Sequence, residues 1–200
     1  MKKGIILVHE FWGVNEQMKR VAERLEKEGF EVLLADLYKG KVAKTAEEAR
    51  AMKDDVRDDE ALQILESGVK ELESRGIARD KIAIWGFCMG GSFSYLAAAS
   101  GMKIGAFVIF YGSRISADEG KSVKIEAPIL GVFGAMDKAI PAELVNAFRS
   151  ALDKLSKPNE IHIYSDADHA FFNEERASYN EKAAKDAWER TLSFLNKHLS

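Results

Sequence analysis

The sequence predicts an α/β protein: a parallel sheet of about six strands flanked by helices on both faces. Two observations point there. Short apolar, β-branched runs alternate with amphipathic stretches of helical period, the pattern of strands joined by helical crossovers. The alternation of strands with helices implies a parallel sheet covered on both faces. The 200 residues contain no internal repeat, low-complexity segment or obvious linker, so residues 1–200 are read as a single domain around one core.

Six runs are assigned as strands: Gly4–His9, Glu31–Ala35, Lys81–Gly86, Gly105–Tyr111, Pro128–Gly134 and Glu160–Tyr164. Between the first two, Val21 and Leu25 share a helical face that closes at Gly29. Lys39–Arg57, dense in Lys, Glu, Asp and Ala, reads as a surface helix or a mobile flap. Glu60–Arg75 places Leu62, Leu65, Val69 and Leu72 on one face before Gly76. Met89–Ser100 ends at Gly101, a residue suited to a helix C-terminus. Pro141–Leu155 opens on a proline whose missing N–H is no loss in a first turn, and Tyr179–Leu199 completes the set.

Charge and composition exclude several functions. Lys and Arg number 29 against 32 Asp and Glu, a net charge of −3, with 30% charged and 46% hydrophobic residues. That balance argues against disorder and against a basic nucleic-acid-binding face. No apolar stretch approaches the roughly 18–20 residues that cross a bilayer, and the start of the chain does not resemble a signal peptide, so a cytoplasmic protein without membrane contact is expected. The single cysteine, Cys88, excludes an internal disulfide and every Cys-rich zinc site.

Cys88 sits in Gly86-Phe87-Cys88-Met89-Gly90-Gly91, a G-x-C-x-G between an apolar strand and an Ala-rich helix. This is the strand–nucleophile–helix turn with sulfur in place of oxygen. Small residues are needed there because the nucleophile takes a strained backbone conformation while strand and helix approach closely. The helix N-terminus would stabilise a thiolate, and the Met89 N–H would meet an oxyanion formed in acyl transfer. Without the flanking glycines a buried structural cysteine would be the better reading. The spacing fits neither a dinucleotide loop nor a P-loop.

A thiol nucleophile needs a base. Of the four histidines, His162 lies in the last strand, His198 lies near the end of the chain and His9 ends the first strand. His169 lies in the loop after the last strand, where open α/β sheets place ligand-binding groups. Asp137, just after the fifth strand, is the expected acid on its other nitrogen. Asp166 and Asp168 suit turn-forming roles better. Nucleophile, acid, histidine is the chain order of α/β-hydrolases. The segment after the first strand should border the thiol, with Phe11 N–H as a second oxyanion donor. Its neighbour Glu10 is expected to hold the thiol proton at rest or, equally well, to sit in a salt bridge at a helix start. His9-Glu10 lacks the second histidine of a zincin, so no metal is expected. Phe11, Trp12, Trp85, Phe87, Phe171 and Phe172 are candidates for an apolar pocket wall, with Trp85 equally suited to the core.

These residues resemble the dienelactone hydrolase family of α/β-hydrolases over nearly the whole chain. His9-Glu10-Phe11-Trp12-Gly13-Val14-Asn15, Ala35-Asp36-Leu37-Tyr38, the Cys88 turn, Asp137 and Asp168-His169-Ala170-Phe171 carry the likeness. The resemblance implies a minimal α/β-hydrolase fold without a cofactor. It also implies hydrolysis of a small ester or lactone through a thioester on Cys88, with Glu10 gating the thiol. Trp12 and Phe171 are expected at the substrate. Members that bind a carboxylated lactone use two arginines. Here Asn173 stands four residues after His169, Arg176 lies further on, and Arg50 and Arg57 are approximate candidates for the second. A monomer or homodimer is expected. Two rivals are a non-catalytic binding member of the fold and a thiol redox sensor using Cys88, the latter weakened by the lack of a resolving cysteine.

Overall fold

Short runs rich in apolar and β-branched residues make six strands in the computed structural model, which describes residues 2–200. They are β1 (Lys3–Val8), β2 (Phe30–Ala35), β3 (Ile82–Phe87), β4 (Ala106–Phe110), β5 (Ile129–Gly134) and β6 (Asn159–Tyr164). All lie within a residue or so of the bounds expected from sequence. They form one sheet in the order β2-β1-β3-β4-β5-β6, every neighbouring pair parallel. The chain moves outward from β1 to β2, then returns across β1 to place β3 on its other side. That reversal opens a crevice between the carboxyl ends of β1 and β3. The register pairs Val8 with Gly86, Phe87 with Phe110 and Gly134 with Tyr164, so the loops after these strands emerge along one rim.

Seven helices lie among the described residues: α1 (Glu16–Lys27), α2 (Ala46–Asp54), α3 (Asp58–Ser74), α4 (Met89–Ala99), α5 (Glu119–Ser122), α6 (Ala142–Lys154) and α7 (Glu181–His198). Consecutive contacts among α3, α4, α5 and α6 make one layer. Helices α1 and α7 meet through the Arg24 guanidinium, 4.0 Å from the Trp188 ring. Asn15 and Asn180 cap α1 and α7 by accepting the N–H groups of Met18 and Ala183. Pro141 does not enter the first turn as expected. Its ψ of 144° is extended and the helix begins at Ala142, leaving the proline at the cap. Lys39–Arg57 resolves into the surface helix α2, capped by Thr45. Ala49 seats α2 on the body, but among the described residues no residue of 46–54 makes a hydrogen bond or ion pair outside residues 44–56.

Successive residues of a strand face opposite ways, so Trp85 and Phe87 share one side of the sheet. There they join Phe110, Phe172 and Trp188 in an aromatic cluster, with Trp85 5.3 Å from Phe87, 5.1 Å from Phe110 and 5.7 Å from Trp188. Phe172 stacks on Phe87 at 5.4 Å. Trp85 is therefore core, the second of its two expected places, and Phe87 and Phe172 are core too, which corrects their expected place at the pocket.

Candidate active site

The turn between β3 and α4 holds Cys88 at φ 53°, ψ −110°, a conformation an L-residue rarely adopts. Glycine at position 86 permits it, because a Cβ there would lie 1.9 Å from the Gly90 carbonyl oxygen. Cys88 is half-buried, and its Sγ lies 3.2 Å from His169 Nε2. The other ring nitrogen, Nδ1, is 2.6 Å from Asp137 Oδ2. Asp137 is almost fully buried, and its Oδ1 accepts the N–H groups of Ala139 at 2.8 Å and Ile140 at 3.2 Å, which fixes the carboxylate. Three residues from three loops of one rim thus form a contiguous Cys–His–Asp chain.

Burial works to raise the pKa of Asp137, but His169 and the two backbone donors outweigh it and hold the carboxyl below its usual range. Burial likewise opposes the His169 imidazolium, yet the bonds to Asp137 and Cys88 lift its pKa to about 10. The sign for stability follows. A histidine raised from about 6.5 contributes stability that is fully present below that value and is lost as pH rises through about 10. Asp137 contributes stability present above about 3.9 and lost as pH falls through its depressed value. The melting temperature of the wild type is therefore expected to fall more steeply from pH 6.5 to pH 10 than that of His169→Gln. Parallel slopes in scanning calorimetry would contradict this.

Glu10 is buried, and desolvation raises its pKa against the opposing pull of Asn173, Arg176, His169 and Tyr111. Its Oε2 accepts from Asn173 Nδ2 at 2.8 Å and its Oε1 from Tyr111 Oη at 3.3 Å. It makes no hydrogen bond to Cys88, so the expected resting contact between carboxyl and thiol is not the one present. The segment is pinned by His9. The Leu37 N–H donates to His9 Nε2 at 3.1 Å, so the neutral ring carries its proton on Nδ1 and donates to the Glu10 carbonyl at 2.6 Å.

Cys88, His169, Glu10, Phe11, Trp12 and Met89 border a common cavity of about 450 Å³. Neither the Phe11 nor the Met89 N–H has an acceptor within the described protein. Phe171 does not reach this cavity. It is fully buried against Tyr111 and Tyr164, with ring centres at 5.8 and 5.3 Å, and Ala170 lines the cavity instead. Arg50 and Arg176 do line it, whereas Arg57 pairs with Asp59 on the surface. Lys53, one turn on from Arg50, joins them and was foreshadowed only by that spacing. Tyr111 and Asn173 are the neighbours sequence reasoning missed. The position of Tyr111 at the carboxyl end of a strand was the available signal. No group of three His, Cys, Asp or Glu side chains among the described residues is arranged to hold a metal. A second cleft of about 540 Å³ between β2 and α3 shares no residue with the thiol cavity.

The parallel sheet, its switch point and the strained strand–helix turn define an α/β-hydrolase fold. The sequence profile of the dienelactone hydrolase family matches residues 1–199, and the chain belongs to that family of hydrolases. A Saccharolobus solfataricus protein with the provisional name carboxymethylenebutenolidase is 32% identical, the match covering 98% of this chain and 90% of that protein. The crystal structure of a provisionally named dienelactone hydrolase from Klebsiella pneumoniae superposes with a TM-score of 0.88 at 30% identity. It covers 98% of this chain and 87% of that one. The dienelactone hydrolase-like promiscuous phosphotriesterase P91 from metagenomic libraries shares the fold, with a TM-score of 0.81 at 22% identity, covering 98% and 87% of the two chains. No helix among the described residues is long and apolar enough to cross a membrane.

Proposed function

We propose that the chain, acting as one domain, hydrolyses a carboxylic ester or lactone with Cys88 as nucleophile, His169 as base and Asp137 as orienting acid. The observation that carries this reading is the 3.2 Å approach of His169 Nε2 to Cys88 Sγ, with Asp137 at 2.6 Å on the far nitrogen. The thiol proton passes to His169, whose imidazolium is held by Asp137 and by the sulfur itself, and Cys88 attacks the carbonyl carbon as the thiolate. The developing oxyanion is received by the free N–H groups of Phe11 and Met89, each worth roughly 3–4 kcal/mol at comparable sites. The carbon–oxygen bond breaks and the leaving alkoxide takes the proton from His169. Water then gives a proton to His169 and attacks the thioester, the carbon–sulfur bond breaks, and sulfur recovers the proton. An acyl group trapped on Cys88 by intact-mass analysis of the wild type with a slowly deacylated ester, and lacking in Cys88→Ala, is the expected result. Turnover of the ester with no adduct at any time after rapid quench would count against the thioester.

The cavity's cations favour an anionic substrate. Arg50 and Arg176 have no acidic hydrogen-bond partner among the described residues, and Lys53 meets only its neighbour Asp54 at 3.8 Å. Arg176 lies 4.0 Å above the Trp12 ring; it interacts electrostatically with Glu10 but makes no hydrogen bond to it, so its donors are left for a ligand. Arg50→Ala and Arg176→Ala are each expected to raise KM for a carboxylated lactone about 10- to 100-fold, the value of one charge-assisted hydrogen bond. KM for p-nitrophenyl acetate should stay within about twofold, since it offers no carboxylate to lose. Equal effects on both substrates would refute the assignment.

A further inference from the structure

We infer that Asn173 is a positioning residue which, with Tyr111, holds the Glu10 carboxyl off Cys88 and so leaves the thiol committed to His169. The inference rests on the reading of Cys88 as nucleophile. Glu10 and Cys88 border the same cavity, and a carboxyl free to turn there would compete with the imidazole for the sulfur-bound proton. Both of its oxygens are occupied instead, by the Asn173 amide at 2.8 Å and the Tyr111 hydroxyl at 3.3 Å. Asn173 is held as firmly as what it holds. It is 1% exposed, its Oδ1 accepts the Glu175 N–H at 3.0 Å, its own N–H donates to the Ala170 carbonyl, and its carbonyl accepts the Arg176 N–H. With Oδ1 so engaged, the amide must present its NH₂ to Glu10.

The remaining groups around the carboxyl are Arg176 and His169 on the same loop as Asn173, Tyr111 beyond β4, Cys88 at the β3–α4 turn and neutral His9 on its own segment. Because an amide NH₂ donates to a carboxylate or to the carbonyl of a carboxylic acid, and a hydroxyl donates or accepts, the clamp works in either protonation state. One loop delivers both the imidazole and the group that keeps its competitor away.

The test is the rate of Cys88 alkylation by iodoacetamide, followed by intact mass across pH in the full chain. Asn173→Leu is expected to slow alkylation about tenfold at neutral pH and to move the profile to higher pH, as loss of a hydrogen bond to a charged group implies. Tyr111→Phe, which keeps the buried ring, should act in the same direction by a smaller factor. In a Glu10→Gln background neither substitution should have a further effect. An unchanged rate in Asn173→Leu, or the same loss in both backgrounds, would overturn the inference, since a merely structural role ignores Glu10. If Asn173→Leu fails to fold, Tyr111→Phe alone and with Glu10→Gln decides the matter by the same comparison. Alkylation needs no ester turnover, so failure here is distinct from failure of the hydrolase reading.

Discussion

Cys88→Ala is expected to lower kcat/KM on p-nitrophenyl acetate by about 10⁴-fold or more, the scale on which nucleophile–base units fail when one member is removed. The chain offers no second thiol. His169→Ala should cost nearly as much, because a thiol without an acceptor for its proton adds poorly to a carbonyl. The double variant should be little worse than either single one, as expected for residues that act as a unit. The comparison also separates the rival readings. A binding member of the fold predicts equal activity in wild type and Cys88→Ala. A redox sensor predicts reversible oxidation of Cys88 by peroxide that outpaces ester turnover. Retention of wild-type activity in Cys88→Ala on a panel of esters and lactones would remove the thioester mechanism.

Gly86→Ala is expected to unfold the protein rather than merely disarm it. The new Cβ would lie 1.9 Å from the Gly90 oxygen, 2.1 Å from the Gly90 carbon and 2.6 Å from the Gly91 nitrogen, all backbone atoms that no rotamer change can clear. Relief requires α4 to move off the sheet, and a loss above about 4 kcal/mol follows for such enforced overlap. Gly90→Ala should behave alike, its Cβ lying 2.3 Å from the Val8 oxygen of β1. Gly120→Ala is the control, since its nearest neighbour is the movable Asp118 Oδ1 at 3.1 Å, and a change within about 1 kcal/mol is expected. Urea titration of the three variants provides the measurement, and a Gly86→Ala protein of wild-type stability would show that the packing at this turn is looser than described.

The strands and the Cys88–Asp137–His169 constellation were legible because each depends on local signals: apolar runs, paired glycines, and positions just past strand ends. What was not legible turns on backbone reversals that no residue type announces. Ala170 has φ 58°, and across it His169 lines the cavity while Phe171 packs into the core, so two residues one position apart, both read as lying at the substrate, part company. Tyr111 has φ 39° just after β4, and its hydroxyl reaches Glu10. Phe87 looks like a pocket aromatic from its closeness to Cys88 in sequence, yet strand alternation puts it on the same side as Trp85, in the cluster that meets α7. The two partners of Glu10, Tyr111 and Asn173, lie 101 and 163 positions away, separations that a single sequence does not bridge.

Helix α2 contributes Arg50 and Lys53 to the surroundings of the sulfur while sharing no polar bond with the rest of the described residues outside 44–56. An exchange of residues 46–54 for another capped segment that keeps a small residue at position 49 would replace two of the three cations there without severing any strut of the sheet. Most of the chooser is thus bolted to a different part of the frame from the catalyst and can be unscrewed, Arg176 alone staying on the loop of His169.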